Sequence, residues 1–306
     1  MKSYAFVLAL LLAFGFTTPP DVKLEYQFKT GDVYSWVQTT KQTIKQSVMG
    51  MDQNMDNSYE GEMQLKISEI TSTGAKIETQ FKKLKNAVKS PMGETVMDSE
   101  GTAETTENKI FKAMINKPFF VFMNKRGEIE KLEGVDNLWS GLKDIGLDEN
   151  AQKAMRQTLE QFLGESALRA TFEQVLVAYP DKKVKQGDKW TVKNNVAMNF
   201  PMTLENTWNV ENLSSSDAKL FADGLFATTD KEQQISLPGG FKAKADLAGK
   251  QALKSNVNVK TGWPTKLEIL SELKGKMILL AGGMIPQDMD VPMEVLSETT
   301  FVISKK

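Results

Sequence analysis

Three short stretches of this chain carry residue types that do chemistry. Ser140-Gly141-Leu142-Lys143 has the Ser-x-x-Lys form of a serine nucleophile beside a lysine base, and Lys260-Thr261-Gly262 follows it in the order found in penicillin-binding enzymes. Ser271-Glu272-Leu273-Lys274 repeats the first pattern, and no Ser-x-Asn element lies between them. The third stretch runs from Met49 to Met55 and holds three thioethers, which suit Cu(I) in an exported protein. Each has a plainer reading. Lys260-Thr261-Gly262 sits where an earlier, similar stretch has Lys125-Arg126-Gly127, so it reads as a turn. Met49, Met51 and Met55 share the parity of Met63, Leu65 and Ile67, so on a strand they fall on its apolar face as core or cavity lining.

Composition narrows the chemistry further. The chain has 306 residues with neither cysteine nor histidine. That removes disulfides, thiolate metal sites, the lipid-bearing cysteine of bacterial lipoproteins, and every Ser-His or Cys-His mechanism. Carboxylate pairs, Ser-Lys dyads and all-oxygen metal sites stay open, but nothing in the sequence places one, and the expectation is a non-enzyme without cofactor or metal. With 38 basic and 39 acidic side chains, the net charge of −1 gives no footing for nucleic acid. Lys2 precedes an apolar run from Ala5 to Phe16, too short to span a bilayer and suited to a signal peptide. Residues 1–18 are read as that signal, with cleavage near Gly15. The mature chain is then exported to the periplasm, the cell surface or the exterior, with no transmembrane span.

The elements that would position any site come in two similar sets. "TGDVYSW" from Thr30 is echoed by "QGDKWTV" from Gln186, "LKISEITSTGAKI" from Leu65 by "WNVENLSSSDAKL" from Trp208, and "KRGEIEKLE" from Lys125 by "KTGWPTKLE" from Lys260. The order is kept and the spacing shortens, as in a duplicated unit with shorter loops. Tyr59, Met63, Leu65 and Ile67 alternate with polar residues, Thr71 to Gly74 has turn chemistry, and Ala75, Ile77 and Phe81 resume the alternation, which predicts a hairpin. Val196, Met198, Phe200, Met202, Leu204, Trp208 and Val210 alternate over one long strand. Between the sets the period turns helical: Val135, Leu138, Trp139 and Leu142; then Ala151, Met155, Leu159 and Phe162 behind the cap Asp148; then Leu168, Phe172, Val175 and Tyr179 before Pro180. A shorter helix at Asn108 to Ile115 covers the first sheet, and Glu94 to Glu107 reads as a solvent loop. The layout expected is a first β-rich repeat over 19–134, a helical connector over 135–179 and a second β-rich repeat over 180–306. The fold class is α+β, mostly β, with two related, curved, half-barrel-like antiparallel sheets bridged by amphipathic helices.

The chain resembles a family of secreted bacterial proteins classed as a domain of unknown function. The resemblance rests on "KTGDVYSW", "KQTIKQSVMGMDQNM", "NKPFFVFMNKRGEIEKLEGVD", the helical middle and "KVKQGDKWTV", and it covers nearly the whole mature chain. It brings no catalytic residues. Two curved sheets with one apolar face each suggest a non-catalytic binding protein holding an apolar small molecule or lipid, lined by Met63, Leu65, Ile67, Met198, Phe200, Met202 and Trp208. The alternatives are a structural or interaction module with a closed core and an envelope protein as partner, and a carboxylate hydrolase whose acids the sequence does not place.

Overall fold

The computed structural model describes residues 21–48, 50–91, 93–197, 201–237, 240–282 and 285–306. The apolar run read as a signal, and Met49, Met198 and Phe200, lie outside them. The first half holds β1 (Val33–Val48), β2 (Met51–Ile70), β3 (Gly74–Ser90), β4 (Gly93–Asp98), α1 (Thr106–Met114), β5 (Phe119–Asn124) and β6 (Ile129–Glu133). Then come α2 (Glu149–Leu163) and α3 (Glu165–Val175). The second half holds β7 (Lys189–Ala197), β8 (Pro201–Leu213), β9 (Asp217–Thr228), β10 (Ile235–Ser236), β11 (Lys242–Asn258), β12 (Pro264–Leu279) and β13 (Met289–Lys305). The fold is mostly β, with antiparallel strands and the helices between the halves. The two expected sheets are joined: β13 pairs with β12 on one side and β1 on the other, giving one sheet in the order β6-β5-β3-β2-β1-β13-β12-β11-β9-β8-β7.

The opening turns of the two halves are built alike. Gly31 and Gly187 take positive φ, where a side chain would be strained, and let the chain reverse into β1 and β7. The Gly31 and Gly187 amides donate to Ile67 and Val210, and the Ile67 and Val210 amides donate back to Asp32 and Asp188, at 2.8–3.0 Å. Each following hairpin slips register just beyond that point, at Ile67/Glu69 and at Val210/Asn212.

Several local expectations are corrected. The apolar alternation from Val196 to Val210 is two strands, since Ala197 of β7 pairs with Pro201 of β8; proline lacks an amide to donate and is accommodated where a strand begins. Part of the acidic stretch after Glu94 is strand β4, paired to β3. Val135 to Leu142 forms two short 3-10 turns, entered from the left-handed Gly134 and separated by Gly141, rather than an α-helix. α2 is capped by Asp148, whose carboxylate accepts from the Ala151 amide, but it buries Leu159 and Leu163 and leaves Phe162 61% exposed. α3 stops at Val175, before Tyr179.

Eleven strands in series would lie about 50 Å wide if flat. Yet α3, a cylinder about 10 Å across, packs against both outermost strands, β6 and β7. The sheet therefore rolls until its edges flank one helix. Phe172 of α3 is fully buried, 5.2 Å from the ring of Trp36 on the central strand β1 and 6.4 Å from Phe119 on β5. The exposed carbonyls of the β6 edge are occupied from the helix: Arg169 donates to Ile129 O at 2.8 Å. At the base, residues 21–30 cross beneath the strands, and Tyr26, Phe28, Tyr34, Tyr179 and Trp263 form a ring cluster with centroids 4.2–6.3 Å apart. Burial pushes the phenols of Tyr26 and Tyr179 well above the ordinary tyrosine range, and their hydroxyls donate to Val177 O and Gly262 O.

Truncating Phe172 to Ala should cost about 3–5 kcal/mol, read from the urea midpoint, because it empties the contact between the helix and the sheet. Gly224→Val should cost about 1–3 kcal/mol by the same measurement, since a Cβ there would lie 2.2 Å from Asn206 Oδ1 and would part the buried amide pair of Asn206 and Gln251.

Candidate functional site

Side chains alternate between the faces of a strand, so the pairing register shows which of them share a side. Trp36 is opposite Met63 and Ile303, and all three are buried, which fixes the inner face. That face comprises even positions 34–48 of β1, odd positions 51–67 of β2, even positions 202–210 of β8, even positions 218–228 of β9, odd positions 243–257 of β11, odd positions 267–279 of β12 and odd positions 289–303 of β13. None of these residues is charged, although charged residues make up 25% of the chain. The outer face carries the charge. Lys45, Glu294, Lys274, Glu272 and Lys250 form a continuous ion-pair ladder across β1, β13, β12 and β11. Hydrogen bonds from Lys274 and Lys250 hold the Glu272 carboxyl below the usual carboxylate range.

Along the strands the inner face has three zones. The first is the core, packed under α1 and α3. Beyond it the register sets Asn57, Gln42, Ser297, Ser271, Gln251, Gly224 and Asn206 in one row across seven strands. The ends of this row are satisfied: Gln251 accepts from Gln174 of α3 and donates to Asn206 at 2.8 Å, and Asn57 accepts from Asn86. Among the described residues no side-chain hydrogen bond is made by Gln42, Ser297 or Ser271, which are only half-buried. The third zone is apolar again. Met55, Ile44, Val295, Leu273 and Phe226 lie in one stretch of the register, half-buried, and Met293, Leu273 and Phe226 adjoin a small cluster of Met202, Ala245 and Leu247. The ionisable group near this surface is Tyr59, whose phenol burial pushes up, so it stays neutral.

Met63, Leu65, Ile67 and Trp208 lie in the core, each no more than 4% exposed, and Met202 lies in the small cluster farther along. Ile44, Val295, Phe226, Gln42 and Ser297 were not singled out by sequence reasoning, which raised Met55 as apolar-face lining and Ser271 only within a Ser-x-x-Lys pattern. The signal for them was present: from Gln38 to Gln46, uncharged residues alternate with Lys41 and Lys45. The candidate dyads come apart. Ser271 faces inward while Lys274 faces outward into its ion pairs, and Ser140 donates to Asn137 O within its own turn. Met51 is 62% exposed near the strand end, and Met55 joins the third zone.

Two clefts open at the other end of the molecule. One of about 480 Å³ lies between α1 and the 3-10 turns, beside Lys109, Lys112 and Lys117. The other, about 410 Å³, follows the seam between β6 and β7 and holds Glu173, whose carboxyl burial pushes up although Arg169 lies 3.5 Å away.

Among the described residues no helix is long and apolar enough to cross a membrane. The sheet's outer face carries the ion-pair ladder, and each lysine at a bilayer midplane on such a surface would cost about 2–4 kcal/mol. Solved structures similar to this chain include an outer membrane channel from Pseudomonas putida F1 (8% identity, TM-score 0.28, covering 91% of this chain and 97% of that one). Others are OpdD of Pseudomonas aeruginosa (5% identity, TM-score 0.24, 90% and 100%) and the translocator domain of autotransporter NalP from Neisseria meningitidis (9% identity, TM-score 0.22, 90% and 89%). At these TM-scores nothing is drawn from the likeness. No curated protein matches the chain. A model of the family of unknown function DUF6263 matches residues 72–264, and the chain belongs to that family.

Proposed function

We propose that this is an exported, non-catalytic binding protein that holds an apolar or amphiphilic molecule against the inner face of its rolled sheet, beyond the helices. The observation that carries this reading is the charge-free inner face. In the core, burial alone explains the absence of charge, because an unpaired buried charge is too costly. Farther out the same face is half-buried, and there a soluble protein has no reason to avoid lysine or glutamate unless something apolar covers it. Methionine, valine, leucine and isoleucine line that surface, and methionine adapts to varied apolar shapes. Met202 lies buried beneath it, in the cluster against which Phe226, Leu273 and Met293 pack, while Met63, Leu65, Ile67 and Trp208 belong to the core. The short apolar run behind Lys2 supports export to the periplasm or cell surface. The matching turns at Gly31 and Gly187 support descent of the two halves from one duplicated unit.

Delipidated protein should bind a neutral naphthylamine fluorophore saturably. Ile44→Glu and Leu273→Glu should each weaken binding at least about tenfold while the circular-dichroism melt shows a folded protein. Leu296→Glu, on the outer face, should change nothing. An absence of binding, or indifference to the inner-face charges, would favour a closed structural or interaction module instead.

A further inference from the structure

The polar row narrows the class of ligand. Resting on the carrier reading above, we infer that the bound molecule is an amphiphile with an uncharged, hydrogen-bonding polar end, seated with that end on Gln42, Ser271 and Ser297 and its apolar tail running outward over Ile44, Val295, Leu273 and Met55. Three observations meet here. The row is continuous across the sheet, yet Asn57, Gln251 and Asn206 are bonded within the protein while Gln42, Ser297 and Ser271, between Asn57 and Gln251, are not. One carboxamide and two hydroxyls, adjacent in register on strands about 4.8 Å apart, offer both donors and acceptors to an ester, an amide or a hydroxyl group. No cation lies on the inner face of β1, β2, β12 or β13 between this row and Leu279 or Met289, so a phosphate or carboxylate placed there would lose its hydration without a counter-charge.

The dimensions agree. From Gln42 to Val48 on β1 the strand rises about 20 Å, comparable with a long extended acyl chain. On β13 and β12 the apolar zone covers that length through Met293, Val291 and Met277, while on β1 and β2 it is interrupted by Gln46 and Gln53, which are hydrogen-bonded to each other. The polar end faces Gln174 and the core, so the tail points toward the strand ends, away from α3.

The test compares three ligands of equal chain length against delipidated protein, by displacement of the neutral fluorophore: a monoacylglycerol, the fatty-acid carboxylate and a lysophosphatidylglycerol. The monoacylglycerol should bind at least about tenfold tighter than either anion, because a buried charge without a partner is costly. Ser271→Ala combined with Ser297→Ala should erase most of that preference, bringing the monoacylglycerol's affinity down toward that of the anions, while the circular-dichroism melt shows a folded protein. Gln42→Lys should invert it, favouring the anions. Equal or tighter binding of the anions by the unaltered protein would overturn the inference and leave the carrier reading in place. If neither the fluorophore nor any of the three ligands binds, both fall together.

Discussion

A sheet has two edges, and each presents a row of unpaired amides and carbonyls that must be paired, covered or left as a template for association. This molecule solves that problem asymmetrically, and the rest of its architecture follows. Where the halves meet through β1 and β12, β13 fills the gap and completes both ladders. Where they would meet a second time, through β6 and β7, the chain supplies α3 instead. A helix cannot extend a ladder, so the closure is made by side chains: Arg169 reaches the carbonyls of β6, Trp190 of β7 donates to Ala178 O, and Phe172 reaches inward to Trp36. A helix also occupies more room than a strand and covers only the length of its own few turns. The core is therefore dense at one end, while the long central strands run on past the cover.

That overhang explains why the chain keeps its charges apart so thoroughly. The outer surface of the extended strands holds its ladder of lysines and glutamates, each pair weak by itself. Hydrophobic residues on that face, such as Leu225, Leu270 and Leu296, are scattered singly among charges, as on ordinary soluble proteins. Among the described residues, the inner face of β1, β2, β8, β9, β11, β12 and β13 bears no charge. Segregation of this kind runs opposite to a membrane-spanning barrel, whose outward face must be apolar and whose lumen is polar.

The hairpin of β2 and β3 with its alternation, the capped helix behind Asp148 and the mostly-β class could be read from the sequence, because each depends on neighbours within a few residues: turn chemistry, a cap, a period of two. The break between β7 and β8 was obscured because apolar alternation ran through it at constant parity. A two-residue period has no direction in it, so a strand and a hairpin of the same parity look alike. The helix expected at Val135 was lost for a related reason: its apolar spacing was right, but glycines at 134 and 141 made short turns cheaper than a continuous helix.

What the sequence determined by itself, then, was local: the hairpin of β2 and β3, the capped helix behind Asp148, the mostly-β class, that neither histidine nor cysteine is present, and that Lys41 and Lys45 fall on one face of β1 with Gln42 and Ile44 on the other. What only the tertiary structure decided was which of those uncharged positions form a surface together. Asn57, Gln42, Ser297 and Ser271 come from distant parts of the chain, and they become neighbours through a pairing register set by β13 returning between β12 and β1. Whether an alternating apolar residue ends in the core, as Leu65 does, or half-open beyond it, as Ile44 does, depends on where α3 stops. That limit is set by packing between elements far apart in sequence, on which no local pattern bears.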